Sequence, residues 1–324
     1  MTGLREPPKR EKGRRIVLRF LILILLLIAV ATVIWAATTK TLIRATEDAS
    51  FDSLEIETRQ TGGGATINVV VEPGGPVPVV LLHGYDIVGG ILWDDVVSHL
   101  DEQYHAVRID LPGFGMSDRL PREGRGHTLA SMAEVVAAAM ETGLDSPAVV
   151  VGVGLGGEVA AELAVARPDL VRGIVLIDVD FWKERSWLEI AERLPWIGEA
   201  VIYTFETGGR FSADQWAPWC DVGGWCPSRN QAEARSVAVS INNSTDSLQS
   251  FLRTAPSSLV PSDLGVIELP VVYVWSSDGL VPRESADRVA AAITADFEMV
   301  TVDGHQAHLE TPAVVAKAVT TVDP

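Results

Sequence analysis

The chain has 324 residues, of which 47% are hydrophobic, with a formal net charge of −17. That length holds one large α/β domain with an insertion, or two modest domains. The acidic balance argues against a nucleic-acid partner.

The charge is unevenly spread. Arg5, Lys9, Arg10, Lys12, Arg14, Arg15 and Arg19 stand against only Glu6 and Glu11 at the start. Phe20–Ala37 follows as an unbroken run of apolar and small residues. With Ile16–Leu18 added, it reaches spanning length, and Arg19 can snorkel to the headgroups. The expected layout is a basic cytoplasmic tail over 1–15, a transmembrane signal anchor over 16–38 and a stalk over 39–63. Basic residues before the span and acidic ones after it (Glu47, Asp48, Asp52) put the N-terminus inside and the body outside the cell membrane. Ala29-Val30-Ala31 offers the alternative of a signal peptide cleaved there, although the apolar run is long for that role.

Gly62-Gly63-Gly64 reads as a turn or hairpin loop. Beyond it, strands and helices alternate to about residue 322. The expected strands are Thr66–Val71, Val77–Leu82, His105–Ile109, Ala148–Gly152, Gly173–Ile177, Val271–Trp275 and Phe297–Val302. Several are continuous Val/Ile/Leu runs, as strands covered on both faces should be. The expected helices are Trp93–Glu102, Leu129–Thr142, Glu158–Arg167, Arg283–Ala295 and Pro312–Thr320. This order implies an α/β fold with a doubly wound, mostly parallel sheet.

The alternation breaks over about 181–268, which reads as an inserted lid. It holds Trp182, Trp187, Trp196, Trp216, Trp219 and Trp225, and a helix-like stretch Gln231–Val239. The tryptophans either pack a small lid or wall a pocket for an apolar ligand. Cys220 and Cys226 sit close together, and outside the cytoplasm such a pair becomes a disulfide more readily than a metal site. No histidine or second cysteine pair nearby supports a metal, and nothing calls for a cofactor.

One position decides the chemistry. A strand, a small-residue turn and a helix surround Gly152-Val153-Gly154-Leu155-Gly156. That is the context of the G-x-S-x-G nucleophile elbow. The outer glycines are present, but Gly154 stands where the serine belongs and offers no nucleophile.

Four further segments fall in order: His83-Gly84-Tyr85, the Asp110–Asp118 segment DLPGFGMSD, VWSSDGLVP with Asp278, and VDGHQAHLETP with His305 and His308. Together with the elbow they resemble the α/β-hydrolase family, in its single-domain form with a lid, over residues 64–322. The resemblance implies Asp278 as the catalytic acid and His305 as the base. It implies an oxyanion hole from the amides of Leu155 and Tyr85. Asp178, at the end of the preceding strand, is an alternative acid, and Asp180 a weaker one. His83 is expected to hold the oxyanion loop and His308 to pack or cap. Ser117, Ser276, Ser277 and Glu158 are each poorly placed to replace the missing serine. The expectation is a membrane-anchored pseudoenzyme that binds an apolar or ester-like ligand. Its rival is an enzyme in which His305 and Asp278 act as a general-base dyad without a covalent intermediate.

Overall fold

The computed structural model describes residues 9–46, 59–62, 65–85, 88–119, 128–182, 190–191, 194, 197–204, 226–254, 261–294 and 296–323. Eight strands form one sheet in the order β1-β2-β4-β3-β5-β6-β7-β8. They are β1 (Arg59–Gly62), β2 (Ala65–Val71), β3 (Val77–Leu82), β4 (Tyr104–Ile109), β5 (Ala148–Val153), β6 (Val171–Ile177), β7 (Val271–Ser276) and β8 (Phe297–Val302). The first two form an antiparallel hairpin, and β2 runs antiparallel to β4. All pairings from β4 to β8 are parallel.

The helices are α1 (Lys9–Thr46), α2 (Asp94–Val97), α3 (Leu129–Gly143), α4 (Leu155–Ala166), α5 (Gly198–Ile202), α6 (Arg229–Ser240), α7 (Ser244–Thr254), α8 (Pro261–Leu264), α9 (Arg283–Ala292), α10 (Ala307–Glu310) and α11 (Pro312–Val322). A 3-10 turn, Gly89–Trp93, precedes α2. Successive strand residues point to opposite faces, and both faces are buried. Val80, Leu82, Val150, Ile174 and Leu176 meet α3, α4 and α9 on one side. Val79, Leu81, Val151, Val175 and Ile177 meet Trp93 and α11 on the other. That two-sided cover explains the unbroken aliphatic runs in the sequence.

Four expectations need correction. A short strand, β1, precedes the expected start of the domain at residue 64 and pairs with β2. The helix expected over Trp93–Glu102 is reduced to the 3-10 turn and the single turn α2. The helix after the elbow starts at Leu155, not Glu158. The stalk expected from residue 39 is helical to Thr46, and the apolar stretch of α1 is Leu21–Ile43, with mean hydropathy 2.8.

Candidate active site

The parallel strands deliver Gly154, Asp178, Asp278 and His305 to their C-terminal ends, where an α/β sheet places its ligand site. Gly154 directly follows β5 and caps α4, with φ 48° and ψ −115°. Its N–H donates to the Ile177 carbonyl (2.9 Å), and its carbonyl accepts from Glu158 N (3.0 Å). A left-handed φ is costly for any residue with a Cβ, and glycine removes that cost. The neighbouring glycine Gly156 answers a different need. A Cβ there would run into the carbonyls of Leu82 and His83, so α4 packs too close to β3 for a side chain. At Gly154 a Cβ would meet nothing within 4 Å. The elbow keeps both its bend and the open space where a nucleophile would stand.

The groups expected to stabilise an oxyanion flank that space. Leu155 is the first residue of α4, and the first amides of a helix have no carbonyl partner within it. On the other side, β3 pairs with β5 and carries His83-Gly84-Tyr85 past Val153. His83 holds this segment as expected. Leu111 N–H donates to its Nε2 (2.9 Å), so the ring proton lies on Nδ1 and donates to the Gly84 carbonyl (2.7 Å). Tyr85 stacks on Phe251 of α7 at 5.7 Å and meets Phe114 edge-on.

The expected acid and base lie on neighbouring segments without a hydrogen bond between them. Asp278 is exposed, and its N–H donates to the Gly304 carbonyl (3.0 Å). His305 is 42% exposed, and among the described residues no hydrogen bond joins it to Asp278. The carboxylate beside the imidazole is Glu310, with Oε1 4.0 Å from Nδ1. That same oxygen accepts from the backbone N–H groups of His305 (3.1 Å) and Gln306 (3.2 Å). Sequence reasoning missed Glu310, although it lies inside the motif VDGHQAHLETP.

Asp178, the alternative acid, is held more firmly. It has φ 47°, one of two left-handed non-glycine residues among those described. Its Oδ1 accepts from Ser276 N (2.7 Å), and its Oδ2 from Ser276 Oγ (2.6 Å). Ser276 Oγ in turn accepts from Ala307 N (3.1 Å), two residues past His305. Burial raises the Asp178 carboxyl above the usual carboxylate range, and the Ser276 hydrogen bonds oppose that rise. A continuous path therefore runs from the elbow through Ile177 and Asp178 to the His305 loop.

Two of the substitute nucleophiles, Ser276 and Ser117, are otherwise engaged. Ser276 is fully buried in the hydrogen bonds just given. Ser117 is also fully buried, donating to the Asp110 carbonyl (2.6 Å) and accepting from Asn68 N (2.9 Å). Arg119 clamps the 110–118 loop to the inserted helices, donating to the carbonyls of Gly115 (2.9 Å) and Ala238 (2.8 Å) and to Ser244 Oγ (2.8 Å). Cys220, and with it the expected disulfide to Cys226, lies outside the described residues, as do Trp187, Trp196, Trp216, Trp219 and Trp225. Trp182 is half-buried, edge-on to Phe181 at 6.0 Å.

The model of the alpha/beta hydrolase fold matches residues 77–312, most of the chain and every strand from β3 to β8. The chain belongs to the α/β-hydrolase family. Over 113 residues it is 35% identical to the pimeloyl-[acyl-carrier protein] methyl ester esterase of Nitrosomonas europaea, covering 35% of this chain and 41% of that protein. Over 117 residues it is 41% identical to the dihydrolipoyllysine-residue acetyltransferase component of the acetoin cleaving system of Cupriavidus necator, covering 35% and 29%. The matches thus span less than half the length of these curated relatives. Among solved structures it resembles the meta-cleavage product hydrolase of Pseudomonas fluorescens, with TM-score 0.65 and 18% identity over 82% of this chain and 98% of that one. It likewise resembles an esterase of Thermogutta terrifontis, with TM-score 0.61 and 21% identity over 82% and 98%.

His308 packs rather than reacts. Its ring lies 5.2 Å from Trp93, and its Nδ1 is buried with no hydrogen-bond partner among the described residues. Burial lowers its pKa to about 4. The unfolded chain therefore takes up a proton near pH 6.5, while the folded α/β-hydrolase domain resists until about pH 4. Stability should fall across that window as pH drops, by about 3 kcal/mol in total from this group. Denaturant melts at pH 7 and pH 4.5 should show a smaller acid loss in His308→Gln than in wild type. An equal loss in both would contradict this assignment.

Proposed function

We propose that this protein is a membrane-anchored α/β-hydrolase-fold binder of an apolar or ester-like ligand, with its covalent serine chemistry disabled. The observation that carries the reading is Gly154. It sits in the bent elbow conformation with open space above it and no oxygen to attack. Two further features support it. Serines 117 and 276 are spent on buried hydrogen bonds, and Asp278 is exposed with no hydrogen bond to His305. The helices between β6 and β7 serve as the lid, which the ring contacts of Phe251 with Tyr85 and Phe114 join to the segments after β3 and β4. The span Leu21–Ile43 is the anchor, with the basic N-terminus inside and the domain outside. The Cys220–Cys226 disulfide is part of the same reading, since it needs an oxidising compartment.

The rival reading is a general-base enzyme, and the half-exposed imidazole beside Glu310 favours it. Bound water in the space above Gly154 would be the nucleophile. Intact-mass measurement after treatment with a fluorophosphonate should show no adduct on the wild-type protein. Ester hydrolysis should sit at background and be unmoved by His305→Ala. A fall on the order of 10²-fold or more in that variant would establish the general-base reading instead.

A further inference from the structure

The end of α1 does not stand free of the domain. Thr39 and Ile43 are buried there, and Lys40 Nζ lies 3.3 Å from Glu199 Oε2 on α5. Glu199 is itself 7% exposed. The helix that carries the apolar span is therefore docked on the insertion.

Distance fixes the height of that contact. From Leu21 to Lys40 a helix rises about 30 Å at 1.5 Å per residue. That equals the thickness of a bilayer's hydrocarbon core, about 30 Å. Lys40 then falls at the outer boundary, where a lysine reaches the headgroups. Whatever pairs with Lys40 lies at the same level, and that is α5. Ahead of α5, two large apolar side chains are exposed, Ile190 (54%) and Leu194 (45%), four positions apart in the sequence. Gly198 N donates to the Leu194 carbonyl (2.9 Å), which ties Leu194 to the start of α5.

We propose that Ile190 and Leu194, together with α5, form a membrane-seated edge. The Lys40–Glu199 pair holds it at the bilayer surface, and Ile190 and Leu194 enter the acyl boundary. The occupant of this patch is phospholipid. The proposal rests on α1 being a retained anchor. It adds a route for an amphiphilic ligand, because the edge reaches the candidate site through one helix. Gln249 Nε2 of α7 donates to the Leu194 carbonyl (3.4 Å), and Phe251, two residues on, stacks against Tyr85.

The test uses the full chain in phosphatidylcholine–phosphatidylglycerol vesicles carrying nitroxide lipids. A fluorescent unnatural amino acid is placed singly at Leu27, Leu194 or Val71. Val71 is exposed and pairs with Val107, away from the C-terminal strand ends that carry the insertion. Quenching is expected at 27 and 194 and not at 71. Shallow seating, about 5–10 Å into the boundary, predicts that nitroxides near the headgroup quench position 194 better than deep ones. Glu199→Lys should abolish the quenching at 194, and Lys40→Glu added to it should restore it. Quenching at 27 but not at 194 overturns the seated edge while leaving the anchor intact. No quenching at 27 overturns the anchor itself, and the edge with it. Protection of 194 by a second copy of the chain, seen as energy transfer between labelled chains without lipid quenching, also overturns the proposal. Unchanged quenching at 194 in Glu199→Lys shows that the ion pair does not set the height, and rejects that part.

Discussion

Gly154→Ser should turn a chain that takes no fluorophosphonate label into one that does, and the labelling should be slow. The new side chain has room, since a Cβ at this position meets nothing within 4 Å. The backbone already holds φ 48° and ψ −115°, so no rebuilding of the turn is required. Serine in that left-handed bend costs about 1–3 kcal/mol, which the melt of the variant should register. The Leu155 amide at the start of α4 is positioned to receive the developing oxyanion. What the variant lacks is an oriented base. His305 is 42% exposed and has no hydrogen bond to Asp278, and Glu310 is 4.0 Å from its Nδ1. Loss of the carboxylate's hold on the imidazole costs on the order of 10⁴-fold in a serine triad, and labelling should lag a complete site by that much. Adding His305→Ala should abolish the residual labelling, and Gly154→Ala should melt like the serine variant and stay unlabelled. A folded Gly154→Ser protein that never forms the adduct would show that His305 cannot serve position 154.

The same residues explain which parts of the molecule could be read before folding. The expected strands from Thr66 to Val302 appear within a residue or two, because two-sided burial forces aliphatic runs that carry no other plausible meaning. The elbow was legible because its outer glycines are dictated by close packing and not by the missing nucleophile. Strand β1 was not legible. Its residues Arg59–Gly62 have no apolar alternation, and the strand exists only through pairing with β2. Helix α7 was missed inside the insertion, although Leu248, Phe251 and Leu252 carry a helical spacing through an otherwise polar stretch. The partner of His305 was illegible for a different reason. Asp278 lies in a loop whose course is set by backbone contacts to Val302 and Gly304, and Glu310 closes the single turn α10, so no local pattern encodes which carboxylate faces the imidazole. Asp110 sat in a recognised motif, yet its role was hidden because two of its three donors, Gly90 N and Asn68 Nδ2, come from distant segments.

Asp110→Ala should be among the most destabilising single changes in the domain. The carboxylate is 4% exposed and accepts from Gly90 N (2.6 Å), Asn68 Nδ2 (2.9 Å) and Met116 N (2.8 Å). It thereby fastens the 3-10 turn, β2 and the 110–118 loop to one another. The backbone wraps it closely, for a Cβ on Gly89 or Gly115, both at left-handed φ, would strike the carboxylate. Alanine leaves three donors facing a void, and each unsatisfied buried group costs about 1–3 kcal/mol. Because the loop can relax in part, the net loss should be about 4 kcal/mol, or roughly 8–16 °C in melting temperature for a domain of this size. Asparagine keeps the shape but turns an N–H₂ toward one of the same donors, so Asp110→Asn should fall between wild type and alanine. The effect should also reach the candidate site, since the loop's Leu111 N–H fixes His83, and His83 fixes Gly84 ahead of Tyr85. In Gly154→Ser, adding Asp110→Asn should therefore slow labelling further at a temperature where both proteins remain folded. A melting temperature for Asp110→Ala within about 2 °C of wild type would mean that the carboxylate is not the knot that the hydrogen bonds describe.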